Sequence, residues 1–425
     1  MRLLFFSGSR DPALRAGAAN VLYPAMSDLE TAVVSSRGAS RIGGGHPWVF
    51  RADVVRGPKH DAGDGGPALV RVLDGRGRPL GVATWAARPR LALRMVARAG
   101  QPEPTDLLAL VEKRLDAALA RRQALHLDRD AYRVAHAESD LLPGLVVDRY
   151  ADAAVVQTTS VAMSAARDEI AAAVRRRLDA RVVVCRDDGS ARDFEELPRF
   201  SGVVAGGGDT RVVYRLGANR LETDLMRDHK TGGFLDQADN HAAVAALAPP
   251  GARALDAFTH HGGFALALAR GGGEVLAIDE DADAAARAAA NARRNELANL
   301  RVDRGNAFDL LRAFEGRGER FDVVVLDPPA LAKRGGPQGL TAAARAYKEL
   351  VLRGARLTRA GGLLVACSCS GRVTRAHWDE ICADAIADAG RTAQVLSRAG
   401  AGRDHPELFG VPETAHLKVW AFRVL

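Results

Sequence analysis

Cysteine is scarce in this chain, with four residues among 425: Cys185, Cys367, Cys369 and Cys382. So few, so spaced, exclude a disulfide framework and a zinc cluster with paired C-x-x-C arms, and they suit a reducing cytoplasm. Long apolar runs are missing as well. None approaches the roughly 20 residues that cross a bilayer, so no membrane partner is expected. The apolar patch in "MRLLFFSGSR" is too short for a secretory leader. An acidic excess is absent too, with 59 Lys and Arg against 52 Asp and Glu.

What is there is enough for several packed cores. The length implies two or three domains, and 47% hydrophobic with 26% charged residues can fill and cover them. The net charge of +7 favours a polyanion such as RNA, because each cation that neutralises a phosphate releases counterions. A GC-rich coding genome, which enriches arginine and alanine throughout, yields the same balance. Runs such as Arg175-Arg176-Arg177 fit either origin.

Residues 1–30 read as a disordered tail or a misassigned start, with Met26 as a second opening. From 31 to 100 the text is short β-like pieces, "TAVVSS", "GGGHPWVF", "PALVRVLD", "PLGVATW" and "RLALRMV", split by turn residues such as "DGRG". Even spacing of short strands predicts a small β barrel. After the linker "QPEPTD", residues 104–200 alternate helix and strand as a middle α/β domain, with a turn at Tyr150-Ala151-Asp152. Residues 201–425 complete the chain. From about Arg253 apolar strands alternate with helices, which predicts a parallel sheet covered on both faces. "RTAQVLSR" and "HLKVWAFRVL" close it as an antiparallel hairpin.

Ligands of such sheets bind at the carboxyl ends of the strands. "ALDAFTHHGGFALALA" puts Asp256 at the first strand end and Gly262-Gly263 at a close turn into a helix. This is not the G-x-G-x-x-G dinucleotide pattern. "EVLAIDED" puts Asp279 one βα unit on, where an acid accepts from ribose hydroxyls. Two acids around a glycine turn without a phosphate cradle suit S-adenosylmethionine (SAM). Phe258 lies in the same turn, and Asn306 with Phe308 follows the third strand on the adenine side. Gly262-Gly263 as a plain helix entry and Asp279 as a helix cap are the bland alternatives.

"FDVVVLDPPAL" holds Asp327 at the rim by two prolines that stop regular hydrogen bonding. "LLVACSCSG" follows on the fifth strand. Alternation places Cys367 and Cys369 on one face, with Cys367 inside the sheet and Cys369 at its end, where Ser370-Gly371 breaks the strand. Ligands for a metal are too few nearby, so no metal is expected. A thiolate at Cys369 that adds to carbon 6 of cytosine makes carbon 5 able to attack a methyl sulfonium. A buried bystander thiol is the alternative.

The segments "GGGHPWVFRADV", "ESDLLPGLVVDRYAD", "KTGGFLDQADNH", "LDAFTHHGGFALALA", "FDVVVLDPPA", "CSCSG" and "LKVWAF" resemble the bacterial large-subunit rRNA cytosine-C5 methyltransferases of the RlmI type. The similarity runs from about Thr31 to the end. It implies a class I Rossmann-like methyltransferase domain, a middle α/β domain and a small PUA-like β barrel that binds RNA. It also implies SAM as cofactor, rRNA as partner, Cys369 as nucleophile, and Phe234 and Gln237 as cofactor contacts in the segment Lys230 to Gln237. The chain departs from the family at Asn306, where an acid is frequent, at Ala330-Leu331, where Lys-Phe is frequent, and at the extra glycine in Thr231-Gly232-Gly233-Phe234. Within "HPWVF", Trp48 and Phe50 are expected to fill the barrel, and Arg51, the next residue, to face RNA. An exocyclic-amine N-methyltransferase, an RNA-binding assembly factor with a vestigial pocket, and a homodimer stay open.

Overall fold

The computed structural model describes residues 29–228, 231–332 and 336–425. The expectation for the amino terminus falls, up to residue 28, outside the described residues, as does Lys230.

The first sheet has six strands, with Trp48–Phe50 at one edge and Val54–Arg56 at the other. Only the turn Arg51–Asp53 separates these edges in the chain. Four residues reach about 14 Å at most, whereas the edges of a flat six-stranded sheet lie about 24 Å apart. The sheet must therefore curl nearly closed. Gly81 helps it bend, with φ of +135° and no room for a Cβ, which would sit 2.0 Å from the Ala97 carbonyl oxygen.

The core of this barrel is Val34, Val49, Val70, Val72, Trp85 and Leu93 with smaller neighbours. Trp48 and Phe50 are not in it, contrary to the sequence expectation. Strand alternation turns Val49 inward and its two neighbours outward. Trp48 Nε1 instead donates to Glu138 of the middle domain at 2.9 Å, and Phe50 lies under Arg41. Arg51 is half-buried, with its guanidinium over Trp85 and donating to the Ala86 carbonyl.

The middle sheet has five strands in the order Phe200–Gly206, Val182–Asp187, Ala153–Thr158, Leu145–Tyr150 and Ala131–His136. Its edge strand Phe200–Gly206 carries the sheet past residue 200. Both faces are covered, which is why "VVVC" is apolar without interruption. Val183 and Cys185 join helices Leu107–Ala124 and Arg167–Leu178. Val182 and Val184 turn the other way, toward the carboxyl-terminal domain. An unforeseen hairpin, Arg211–Leu216 with Asn219–Asp224, packs there too.

The third sheet has seven strands. In chain order they are Ala254–Ala257, Val275–Asp279, Leu300–Arg304, Phe321–Leu326, Thr358–Ser368, Ala393–Ala399 and Lys418–Val424. In space the order is third, second, first, fourth, fifth, seventh, sixth. The first five are parallel, and the seventh runs antiparallel to both of its neighbours. The expected alternation and closing hairpin are present. Helices at Ser36–Gly43, Ala238–Leu247 and Ala307–Gly316 were not expected. They are short, and tertiary packing stabilises what propensity leaves marginal.

Asp404, in the connection between the last two strands, clamps this sheet to the middle domain. It is wholly buried and accepts from Arg129 Nη2 and from the Arg133 backbone, both at 2.9 Å. Removing one partner of a buried pair leaves the other uncompensated and costs about 3–5 kcal/mol. Asp404→Ala should lose that much stability in urea unfolding, and a loss below about 1 kcal/mol, that of an exposed pair, would show that the clamp carries no load.

Candidate active site

The first strand of the seven-stranded sheet runs out into a turn with three residues of positive φ: Phe258 at +68°, His260 at +50° and Gly262 at +90°. An aromatic residue in that region is a true outlier, and such strain persists only where the surroundings hold it. Two acids do the holding. Asp256 Oδ2 accepts from Thr259 Oγ1 at 2.7 Å and from the Ala265 backbone at 3.0 Å. Asp279 accepts from the backbone of His260 at 2.8 Å and of Asp281 at 3.0 Å. Gly263 lies so close to His241 that a Cβ would come within 2.3 Å of its ring.

Asp256 is the more confined of the two acids. Its Oδ1 is buried without a hydrogen-bond partner among the described residues. Burial, helped by the charges of Asp327 and Asp279 and opposed by its two hydrogen bonds, pushes its carboxyl up to about 7. A bare buried acceptor at a strand end is where a ligand's donor is missing. With Asp279 beside it and a left-handed turn between them, the set fits the ammonium and hydroxyl donors of SAM.

On the outer side of this turn Phe258 meets Phe308 edge to face at 6.2 Å, and Phe234 meets His260 at 4.5 Å. Asn306 is exposed and caps the helix Ala307–Gly316 through its side-chain oxygen. Its amide donates to Glu280 at 2.8 Å. The oxygen is thus committed to the helix, and Glu280, which the sequence reading overlooked, shares this side of the rim.

The fourth and fifth strands bring the remaining residues. Asp327 accepts from Gln237 Nε2 at 3.0 Å, and Gln237 Oε1 in turn accepts from Asn240 at 2.7 Å. Cys367 is buried, and burial first, then Asp327, pushes its thiol well above the ordinary range. Cys369, two residues on, is half-buried at the strand end beside the Pro328 carbonyl. Asp256, Asp327, Gln237 and Cys369 all lie close enough to perturb Cys367. Tyr347 and Lys418 complete this wall through Ser370. Lys418 had a signal in the sequence, as the lone cation in "LKVWAF".

Beyond Gln237 opens a cavity of about 450 Å³ between the middle domain and the carboxyl-terminal sheet. Arg133, Arg186 and Arg227 line it together with Asp188, Asp228 and Asp236. No helix among the described residues is long and apolar enough to cross a membrane.

Comparison with known proteins agrees with this architecture. A family model described as a methyltransferase domain matches residues 249–400, and one described as a PUA-like domain matches residues 33–98. The protein named ribosomal RNA large subunit methyltransferase I from Tolumonas auensis is 36% identical over 389 residues, covering 89% of this chain and 96% of the relative. Its namesake from Aeromonas hydrophila is 35% identical, covering 88% and 94%. A candidate methyltransferase solved with S-adenosylhomocysteine superposes with a TM-score of 0.77 at 18% identity, over 92% of this chain and 99% of that one. A candidate SAM-dependent methyltransferase from Streptococcus mutans gives 0.76, with the same identity and coverage.

The buried acid makes a pH prediction. A carboxyl raised from 3.8 to about 7 keeps a proton in the folded state that the unfolded chain has released, so stability falls as pH rises through that window. Without ligand the protein should lose up to about 4 kcal/mol from this group between pH 4 and pH 7. Asp256→Asn should remove that component. Urea titrations at pH 5 and pH 8 check it, and an identical pH dependence in the two proteins would refute it.

Proposed function

The chain belongs to the ribosomal RNA large subunit methyltransferase I family, and on that premise we propose that it forms 5-methylcytidine in large-subunit rRNA, with Cys369 as nucleophile. The observation that carries this reading is the contrast between the two thiols. Cys369 stands half-buried at the strand end beside the Pro328 carbonyl, whereas Cys367 is sealed in the sheet.

SAM, held by Asp256 and Asp279 with Phe258, Phe234, Gly262 and Gly263 around it, supplies an electrophilic methyl group when bound. The protein's own part is to make cytosine carbon 5 a nucleophile. The Cys369 thiolate adds to carbon 6, N3 takes a proton from solvent, and the electron pair becomes available at carbon 5. Asp327, held by Gln237, accepts from N3–H and the exocyclic amine of the adduct. Once carbon 5 carries the methyl group, loss of its proton, departure of Sγ as thiolate and return of the N3 proton to solvent restore the ring. Asn306 and Phe308 are assigned to the adenine side.

For RNA we assign the barrel at residues 31–100 and the arginine-lined cavity. Trp48 with Glu138, and Arg94 with Glu195 at 2.7 Å, dock the barrel on the middle domain, so RNA held there stays near the rim. The reading places the protein in the cytoplasm and needs one chain only. The homodimer left open by the sequence has no part in it.

Cys369→Ala should abolish product while RNA and SAM still bind, because binding precedes the adduct. Cys367→Ala should cost about 1 kcal/mol of packing or less and leave turnover near normal. RNA containing 5-fluorocytidine, offered with SAM, should be trapped covalently, since fluorine cannot leave as a proton does. Peptide mapping that finds RNA on Cys367, or 5-methylcytidine formed at an ordinary rate by Cys369→Ala, would sink the mechanism and favour methylation of an exocyclic amine.

A further inference from the structure

Lys418 is wholly buried, which is rare for lysine unless its charge is compensated. It lies on the seventh strand opposite Ser368 in antiparallel register, and this register carries its ammonium to the end of the fifth strand. Nζ donates to the carbonyls of Ser370 at 2.7 Å and His416 at 2.9 Å. Both acceptors are neutral. Among the described residues no carboxylate lies within ion-pair distance of Nζ, although the chain forms dozens of ion pairs elsewhere. A buried cation with no anion is costly, so the fold keeps this lysine against a charge that it does not itself supply as carboxylate.

We propose that Lys418 is the positioning residue of the nucleophile, its ammonium holding Cys369 as the thiolate. Cys369–SH gives its proton to water and Lys418 stays protonated, so the pair becomes S⁻ and NH₃⁺ with no other reactant. The groups around the pair act in both directions. Asp327, just past the end of the fourth strand, opposes a thiolate, and Gln237 tempers it by donating to its carboxylate. From the helix Gly336–Leu357, Tyr347 reaches Ser370 and feels the Cys369 charge. Arg375, at the start of the next helix, pushes Lys418 toward its neutral form. Burial lowers the lysine to about 8, and Cys369 is the group that draws it back up. The neighbouring Cys367, raised by the same burial and by Asp327, has no such cation assigned to it.

This inference rests on Cys369 as the nucleophile, and the alkylation arm of its test needs neither RNA nor methyl transfer. Iodoacetamide alkylation of the full-length protein is followed on the Cys369 peptide by mass spectrometry from pH 5 to pH 10. The wild type should react with a midpoint below the ordinary thiol value of about 8.5. Lys418→Met should raise the midpoint by at least about one unit, which is roughly a tenfold slower reaction at pH 7. Lys418→Arg, which keeps the cation, should stay closer to the wild type. Methylation by Lys418→Met should recover as pH rises from 7 to 9, a change that a packing defect would not produce. A wild-type midpoint at or above 8.5 overturns the proposal whatever the variants do, and equal midpoints for wild type and Lys418→Met overturn it too. If the midpoints shift as expected but no protein makes 5-methylcytidine, the assigned reaction fails and the lysine pairing stands.

Discussion

One buried carboxylate organises the reactive end of this molecule. Asp256 sits where the strand order of the sheet reverses, between the first and fourth strands, and crevices at that reversal are where ligands enter. One oxygen ties Thr259 and the first turn of the following helix, around a turn with left-handed backbone at Phe258, His260 and Gly262. The other oxygen is left bare. The strain and the bare acceptor describe a single device, in which the folded chain keeps a costly geometry that a bound ligand's donor would satisfy.

The chemistry then depends on the period of a β-strand. Cys367 and Cys369 face the same side because two residues complete one alternation, so direction does not distinguish them. Depth does. Cys367 lies within the register that pairs the fifth and seventh strands, and Cys369 lies just past its end. The same register sets Lys418 opposite Ser368 and brings its ammonium to the Ser370 carbonyl, next to the half-buried Cys369. A shift by one residue would turn all of these side chains to the opposite face.

The middle domain acts as a two-sided spacer. Alternate residues of its central strands pack into two different cores, one shared with the barrel and one with the carboxyl-terminal sheet. The polar contacts of Trp48, Arg94 and Asp404 lie at these junctions and fix the three units relative to one another. Because the arginine-lined cavity is built from the middle domain and the last connection together, its shape depends on that spacing.

Much of this was legible in the sequence because it is local. Apolar runs separated by helical periodicity mark the parallel sheet, the two-strand ending marks its closure, and Asp256, Asp279, Asp327 and Cys369 stand at strand ends that the pattern itself locates. What depended on pairing between distant segments was not legible. Trp48 and Phe50 read as barrel core, yet a three-residue strand buries its middle residue, and only docking on Glu138 decides where Trp48 goes. That Asn306 also caps the helix Ala307–Gly316 was not legible, because that helix was not expected. The lone cation Lys418 in "LKVWAF" gave no hint of its place, which comes from lying beside a segment about fifty positions earlier. Local sequence determined which residues reach the rim, and the tertiary register alone decided which charges meet there, because that register is set by the burial of whole strands.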